Sequence, residues 1–209
     1  MKSADKQWFG NSIFMKFEAF PYEKPKNRLI MNIKIILIGY MGSGKTLVGK
    51  SLAIKLNLPF KDLDEEIEKV EGISIPDIFS QKGEIYFRKL ENQVLKKLLL
   101  LDKGFVLATG GGTPCYADSL PAMLNTQNAS TVYLKTPIHV LCDRLIKEKE
   151  NRPLLAHLKT REEMLEFVGI HLFERSHFYN QAQIIVSTDE SSAEEIASEI
   201  ASEIAKPLL

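Results

Sequence analysis

The chain predicts an α/β fold, a parallel sheet of five strands with helices on both faces, and three observations carry that expectation. Short apolar, β-branched runs recur between residues 34 and 186, and each is followed by a stretch with helical periodicity. A glycine loop stands where the first such strand passes into the first helix. The length, 209 residues, suits one α/β domain with a sizeable core.

The first strand is Lys34–Ile38, whose continuous apolar run is the pattern of a buried parallel strand. Residues 47–56 follow as a helix, with Val48, Leu52 and Leu56 on one face. Between them lies Gly39-Tyr40-Met41-Gly42-Ser43-Gly44-Lys45-Thr46, which fits G-x-x-x-x-G-K-[ST]. Strand, glycine loop and helix together aim backbone N–H groups and a helix N-terminus at an anion. Gly42 and Gly44 let the backbone wrap a phosphate, Lys45 can reach the β- and γ-phosphates, and the Thr46 hydroxyl can hold Mg²⁺. A chance glycine turn would lack the flanking strand and helix, so the stretch reads as a nucleoside triphosphate site.

The remaining elements follow in order. Pro59–Asp62 is a short second strand, and a helix with acids in its first turn starts at Glu65 and closes at Gly72. Ser74 caps the next helix, with Pro76 in its first turn. Gly83-Glu84 introduces a long helix over about 84–101, with Phe87, Leu90, Val94, Leu98 and Leu101 on one side. Phe105–Ala108 is the third strand, Thr109–Thr113 a second glycine loop, and 117–126 a helix. Thr131–Leu134 is the fourth strand, and Pro137 takes N1 of a helix that runs to about Lys147. The charged segment 148–160, holding Arg152 and Pro153, reads as a mobile flap before a helix over Arg161–Gln181. Ile184–Val186 is the last strand, and Ser191 or Ser192 caps a terminal helix over Ala193–Ala205. Residues 1–30 show no helical or strand period and read as an extension with little regular structure, the domain proper spanning 31–209.

Charge narrows the partners. Lys+Arg and Asp+Glu both number 27, so no net field draws the chain to nucleic acid or membrane, and neither is expected as a partner. No apolar run reaches the ~18–20 residues of a membrane span, and no signal peptide is expected. Cys115 and Cys142 lack metal-ligand spacing and read as reduced thiols of a cytoplasmic protein.

Ligands of such sheets gather at the C-terminal strand ends, where the first glycine loop, Asp62/Asp64 and Gly110–Gly112 all fall. Asp62 and Asp64 share a face if the strand end is extended; one could then place Mg²⁺ and the other orient an accepting hydroxyl. Equally, they could be helix N-caps. Arg88 with Glu91 could be an exposed i,i+3 pair, and Arg175 a solvated residue; the two arginines matter only if their forks converge on one carboxylate. Three successive glycines exceed what a turn requires, which favours a close-lying ligand. Arg152 could be a plain loop residue or the cation that stabilises a transferring group.

Taken together, Gly39–Thr46, Asp62-Leu63-Asp64, Gly83-Glu84 with Phe87-Arg88 and Glu91, Thr109–Gly112, Asn151–Leu155, and Arg175 with Tyr179 resemble shikimate kinase over residues 33–205. That family comprises small P-loop kinases of three-layer α/β/α architecture, and the resemblance implies a sheet ordered 2-3-1-4-5 and a moving lid, here about 148–160. It also implies ATP-dependent phosphorylation of the 3-hydroxyl of shikimate, with Mg²⁺ as cofactor, in a monomer. By that resemblance Asp64 contacts the substrate hydroxyls as the base, with Lys45 and Arg152 as the other catalytic residues. Gly42, Ser43, Gly44, Lys45, Thr46, Leu47 and Arg152 bind ATP, and Asp62 lies near the metal with Thr46, through water. Arg88 and Arg175 grip the shikimate carboxylate, and the Gly110, Gly111 and Gly112 backbone meets the ring hydroxyls. One departure is that some members carry an arginine after the last strand against the adenine, whereas Ser187–Ser192 contains none. A gluconate or nucleoside-monophosphate kinase is the nearest rival reading. A nucleotide-dependent switch without turnover would have lost Lys45, Thr46, Asp64 or Arg152, yet all are present.

Overall fold

A computed structural model describes residues 32–148, 155, 157–189 and 191–206. Residues 1–30, and Arg152 and Pro153 of the expected flap, lie outside the described residues. The five strands are β1 (Lys34–Ile38), β2 (Phe60–Asp62), β3 (Phe105–Ala108), β4 (Ala129–Lys135) and β5 (Ile184–Ser187). All pair in parallel, in the order β2-β3-β1-β4-β5, which is the order the resemblance implied.

β1 is the middle strand and is buried along its whole length, which is why it reads as an unbroken apolar run rather than an alternation. Its side chains still alternate between faces. Ile35 and Leu37 join Val106, Val132 and Val186 in one core, covered by α1 (Lys45–Leu56) and α7 (Ala193–Ala205). Ile36 and Ile38 join Phe105, Leu107 and Tyr133 in the other. That second core is covered by α2 (Leu63–Glu71), α3 (Ile75–Leu99), α4 (Ser119–Leu124), α5 (Ile138–Glu148) and α6 (Arg161–Tyr179). Helices on both faces complete three layers.

Several expected boundaries move, each for a local reason. Helix α2 starts at Leu63, directly after β2, because the Asp62 side chain accepts from the Asp64 N–H and caps it. Asp64 therefore sits in the first turn of a helix, not on an extended strand end. The two helices expected around Gly83 are continuous except at Gly83 itself, whose φ of 78° and ψ of 171° break the helical path. Glu71 accepts from Lys82 Nζ and Tyr86 Oη and ties α2 to α3 across that kink. The helix stops at Leu99, so Leu101 is exposed rather than on the buried stripe. The helix expected at 117–126 shrinks to α4, preceded by a 3₁₀ turn at Thr113–Cys115. Pro137 stands one place before α5, its carbonyl accepting from Leu141, and α6 ends two residues before Gln181. Ser192 is the cap of α7, completing a reciprocal box with Glu195. Leu155 and Leu158 are buried in the second core, so the end of the expected flap nearest α6 is anchored. No helix among the described residues is long and apolar enough to cross a membrane.

Candidate active site

The site grows from the C-terminal end of β1. After Ile38 the chain turns through Gly39–Gly44, and Gly44 takes the left-handed conformation (φ 90°) that lets Lys45 open α1 without a break. The first N–H groups of α1 face the loop, as an anion site requires. Lys45 is buried and its Nζ donates to the carbonyls of Gly39 at 2.8 Å and Tyr40 at 2.9 Å. Thr46 Oγ1 donates to Asp62 Oδ2 at 3.0 Å, while Asp62 Oδ1 caps α2. Asp62 is thus the helix cap, and its second oxygen faces Thr46. These are hard oxygen donors, a hydroxyl and one carboxylate, and no cluster of three His, Cys, Asp or Glu side chains occurs among the described residues. Such a set fits a magnesium ion that keeps its waters and takes phosphate oxygens for the rest.

Asp64 faces the same space. The residue keeps solvent access, but its carboxylate is crowded by the cleft walls. That partial desolvation, reinforced by Asp62 and Glu91 and opposed by Lys45, pushes its pKa up to about 6.

The second glycine loop presses against both neighbours. A Cβ on Gly111 would stand 3.0 Å from the Met41 backbone N. On Gly110 it would stand 3.1 Å from Glu91 Oε1 and 3.5 Å from Asp64 Oδ1, and on Gly112 it would stand 3.0 Å from Arg88 Nη2. Each glycine therefore answers to a different neighbour: the first glycine loop, the acids and the arginine.

Arg88 and Glu91 do pair, Nη1 to Oε2 at 2.9 Å, but Glu91 is 1% exposed and also accepts from Thr113 Oγ1 at 2.7 Å. The expected surface pair is a buried bridge from α3 to the glycine loop. Arg175 lies 5.5 Å from the Tyr40 ring centroid, and Tyr179, one turn on, donates its hydroxyl to the Gly111 carbonyl. Burial pushes the Cys115 thiol up to about 11, and Arg175 and Arg88 both pull it back. Arg88, on α3, stands beside Gly112, and Tyr179, one turn from Arg175 on α6, holds Gly111, so both arginine-bearing helices reach the second glycine loop.

A cleft of about 600 Å³ runs from Gly110 and Asp64, past Lys45 and Thr46, to Arg144 and Ser192. Gly42, Ser43, Gly44 and Leu47 line it, as expected. Arg88 and Arg175 lie beyond its Gly111 end, and Arg152 lies outside the described residues. The expected lack of an arginine near Ser187–Ser192 is answered from elsewhere: Arg144, on α5, lines that end and donates to the Gly42 carbonyl at 3.1 Å. Nothing in its sequence surroundings distinguishes Arg144 from an ordinary helix-surface residue. Tyr116, whose ring lies over Arg88, was likewise invisible in the sequence.

The chain is similar to known proteins in both sequence and fold. The shikimate kinase family profile matches residues 41–205. The shikimate kinase of Flavobacterium johnsoniae is 45% identical over 162 residues, 78% of this chain and 93% of that protein. The structure of Acinetobacter baumannii shikimate kinase in complex with shikimate superposes with a TM-score of 0.74 at 36% identity, covering 85% of this chain and 95% of that one. A Sinorhizobium meliloti gluconokinase reaches a TM-score of 0.52 at 17% identity over 84% of this chain and 93% of its own, a likeness of fold alone.

Proposed function

The chain belongs to the shikimate kinase family and phosphorylates the 3-hydroxyl of shikimate with ATP on the route to chorismate and the aromatic amino acids, and we propose that Asp64 is the base and Arg88 with Arg175 the carboxylate clamp. The observation that supports this assignment is that one glycine loop stands against Asp64 at Gly110 and against Arg88 at Gly112, while Tyr179 of the Arg175 helix holds Gly111.

Two guanidinium forks hold the carboxylate, and the Gly110–Gly112 backbone meets the ring hydroxyls, so that the reacting hydroxyl lies between Asp64 and the γ-phosphate. Asp64 takes the hydroxyl proton as the new O–P bond forms. The bond from the γ-phosphorus to the β-γ bridging oxygen breaks, and its electron pair leaves with ADP. Lys45, released from the loop carbonyls onto phosphate oxygens, and Arg152 neutralise the charge on the group in transit. Thr46 and, through water, Asp62 would hold Mg²⁺, which would supply charge neutralisation at the phosphate oxygens. Gly42, Ser43, Gly44 and Leu47 cradle the nucleotide phosphates, and the segment about 148–160 acts as a lid that keeps water from the reaction. We place the enzyme as a monomer in the cytoplasm; the unpaired thiols of Cys115 and Cys142 support the compartment.

Asp64→Asn tests the base. The variant is expected to bind ATP as the wild type does while kcat falls roughly 10²- to 10⁴-fold. Full turnover in Asp64→Asn would remove the assignment.

A further inference from the structure

We infer that Tyr116 is a positioning residue for acceptor binding, one that holds the Arg88 guanidinium in a single orientation; the inference rests on the reading of Arg88 as part of the carboxylate clamp. Arg88 is held by two aromatic rings and two carboxylates. The Tyr116 ring centroid lies 4.1 Å from Cζ on one face, and the Phe87 ring is 5.1 Å away. Nη1 donates to Glu91 Oε2 at 2.9 Å, and Nε to Glu84 Oε1 at 3.4 Å. The Tyr116 hydroxyl donates to that same Glu84 oxygen at 3.3 Å, so ring and hydroxyl act on Arg88 by separate routes. Nη2 is then the nitrogen without a hydrogen-bond partner among the described residues, and it points past Gly112.

The anchoring of Tyr116 explains why its ring can hold a flexible arginine still. Arg88, Asn92 and Lys96 are spaced four apart on one face of α3. Asn92 Nδ2 and Lys96 Nζ both donate to Asp118, at 3.1 and 2.8 Å, and Asn92 also donates to Ser119 Oγ at 2.9 Å. The segment carrying Tyr116 is thereby pinned to the very helix that carries Arg88. A long cationic side chain fixed before the acceptor arrives loses less freedom on binding, and the ring's quadrupole favours the cation directly. Because the acceptor carboxylate is held alike before and during transfer, the effect falls on KM rather than kcat.

Steady-state kinetics of Tyr116→Leu, Tyr116→Phe, Arg88→Ala and the Arg88→Ala/Tyr116→Leu double variant decide the matter. Tyr116→Leu is expected to raise the shikimate KM roughly three- to tenfold, with kcat within about twofold and the ATP KM unchanged. Tyr116→Phe, which keeps the ring, is expected to restore most of the affinity. In the Arg88→Ala background, Tyr116→Leu is expected to add nothing. A wild-type shikimate KM in Tyr116→Leu, or an equal rise with and without Arg88, overturns the positioning role while leaving the clamp in place. Parallel losses in kcat, both KM values and melting temperature overturn it in favour of a structural role. An unchanged KM in Arg88→Ala overturns the clamp reading, and this inference with it.

Discussion

Asp64 links the chemistry to pH. Its pKa of about 6 lies above the ordinary 3.8, so the ionised base prevails above about pH 6 and is lost as pH falls through it. The prediction is that kcat/KM for shikimate falls about tenfold per pH unit below about 6, and that Asp64→Asn lacks this limb. Stability runs the opposite way. Between 3.8 and about 6 the folded chain binds more protons at this residue than the unfolded one, so this contribution to stability is present at low pH and lost as pH rises. Asp64→Asn should therefore melt above the wild type at pH 7–8 and level with it near pH 4; no difference at pH 8 would remove the desolvation argument. At this scale the sequence was most legible where a motif fixes chemistry by spacing, as at Lys45 and Thr46. It was least legible where tertiary packing assigns the role. Glu91 reads as a surface partner of Arg88 because i,i+3 spacing says nothing of what covers the pair, and its bridge to Thr113 crosses 22 residues.

Among elements, the seam that matters joins the two glycine loops. Gly111 sits so close to the Met41 backbone that a methyl group there has no flexible neighbour to displace. Gly111→Ala is expected to move the second loop off the first and to lower kcat/KM roughly 100-fold, a cost of misplacing the acceptor relative to the phosphate. Wild-type kinetics in that variant would show the seam to be loose. Strand and helix existence was readable throughout, because apolar runs and capping residues are local signals. Ser74 and Ser192 cap where expected, and Gly72 ends α2 in the left-handed conformation. Boundaries failed where a side chain intervened. Asp62 caps α2 at once and so draws Asp64 into the helix, and Ala117 takes a left-handed conformation (φ 51°), so that α4 starts only at Ser119 and is six residues long.

Over the whole molecule, alternating strands and helices already implied a parallel sheet covered on both faces. The strand order came from resemblance and agrees with the observed β2-β3-β1-β4-β5. What the sequence could not supply was that α3, through Glu91 and Thr113, and α6, through Tyr179 and Gly111, hold the same glycine loop, since these helices are far apart in the chain. The family profile begins at residue 41 and the resemblance at 33, so the domain is expected to be independent of what precedes it. Removing residues 1–30 should leave kcat, both KM values and melting temperature unchanged; a fall in melting temperature would show that those residues pack on the domain. ADP release shows whether this cleft transfers phosphate to shikimate and not to another acceptor. ATP and Mg²⁺ would be supplied with shikimate, gluconate, AMP or no acceptor. Turnover with shikimate is expected far above the other three, and turnover with gluconate or AMP in its place would rule out a shikimate site.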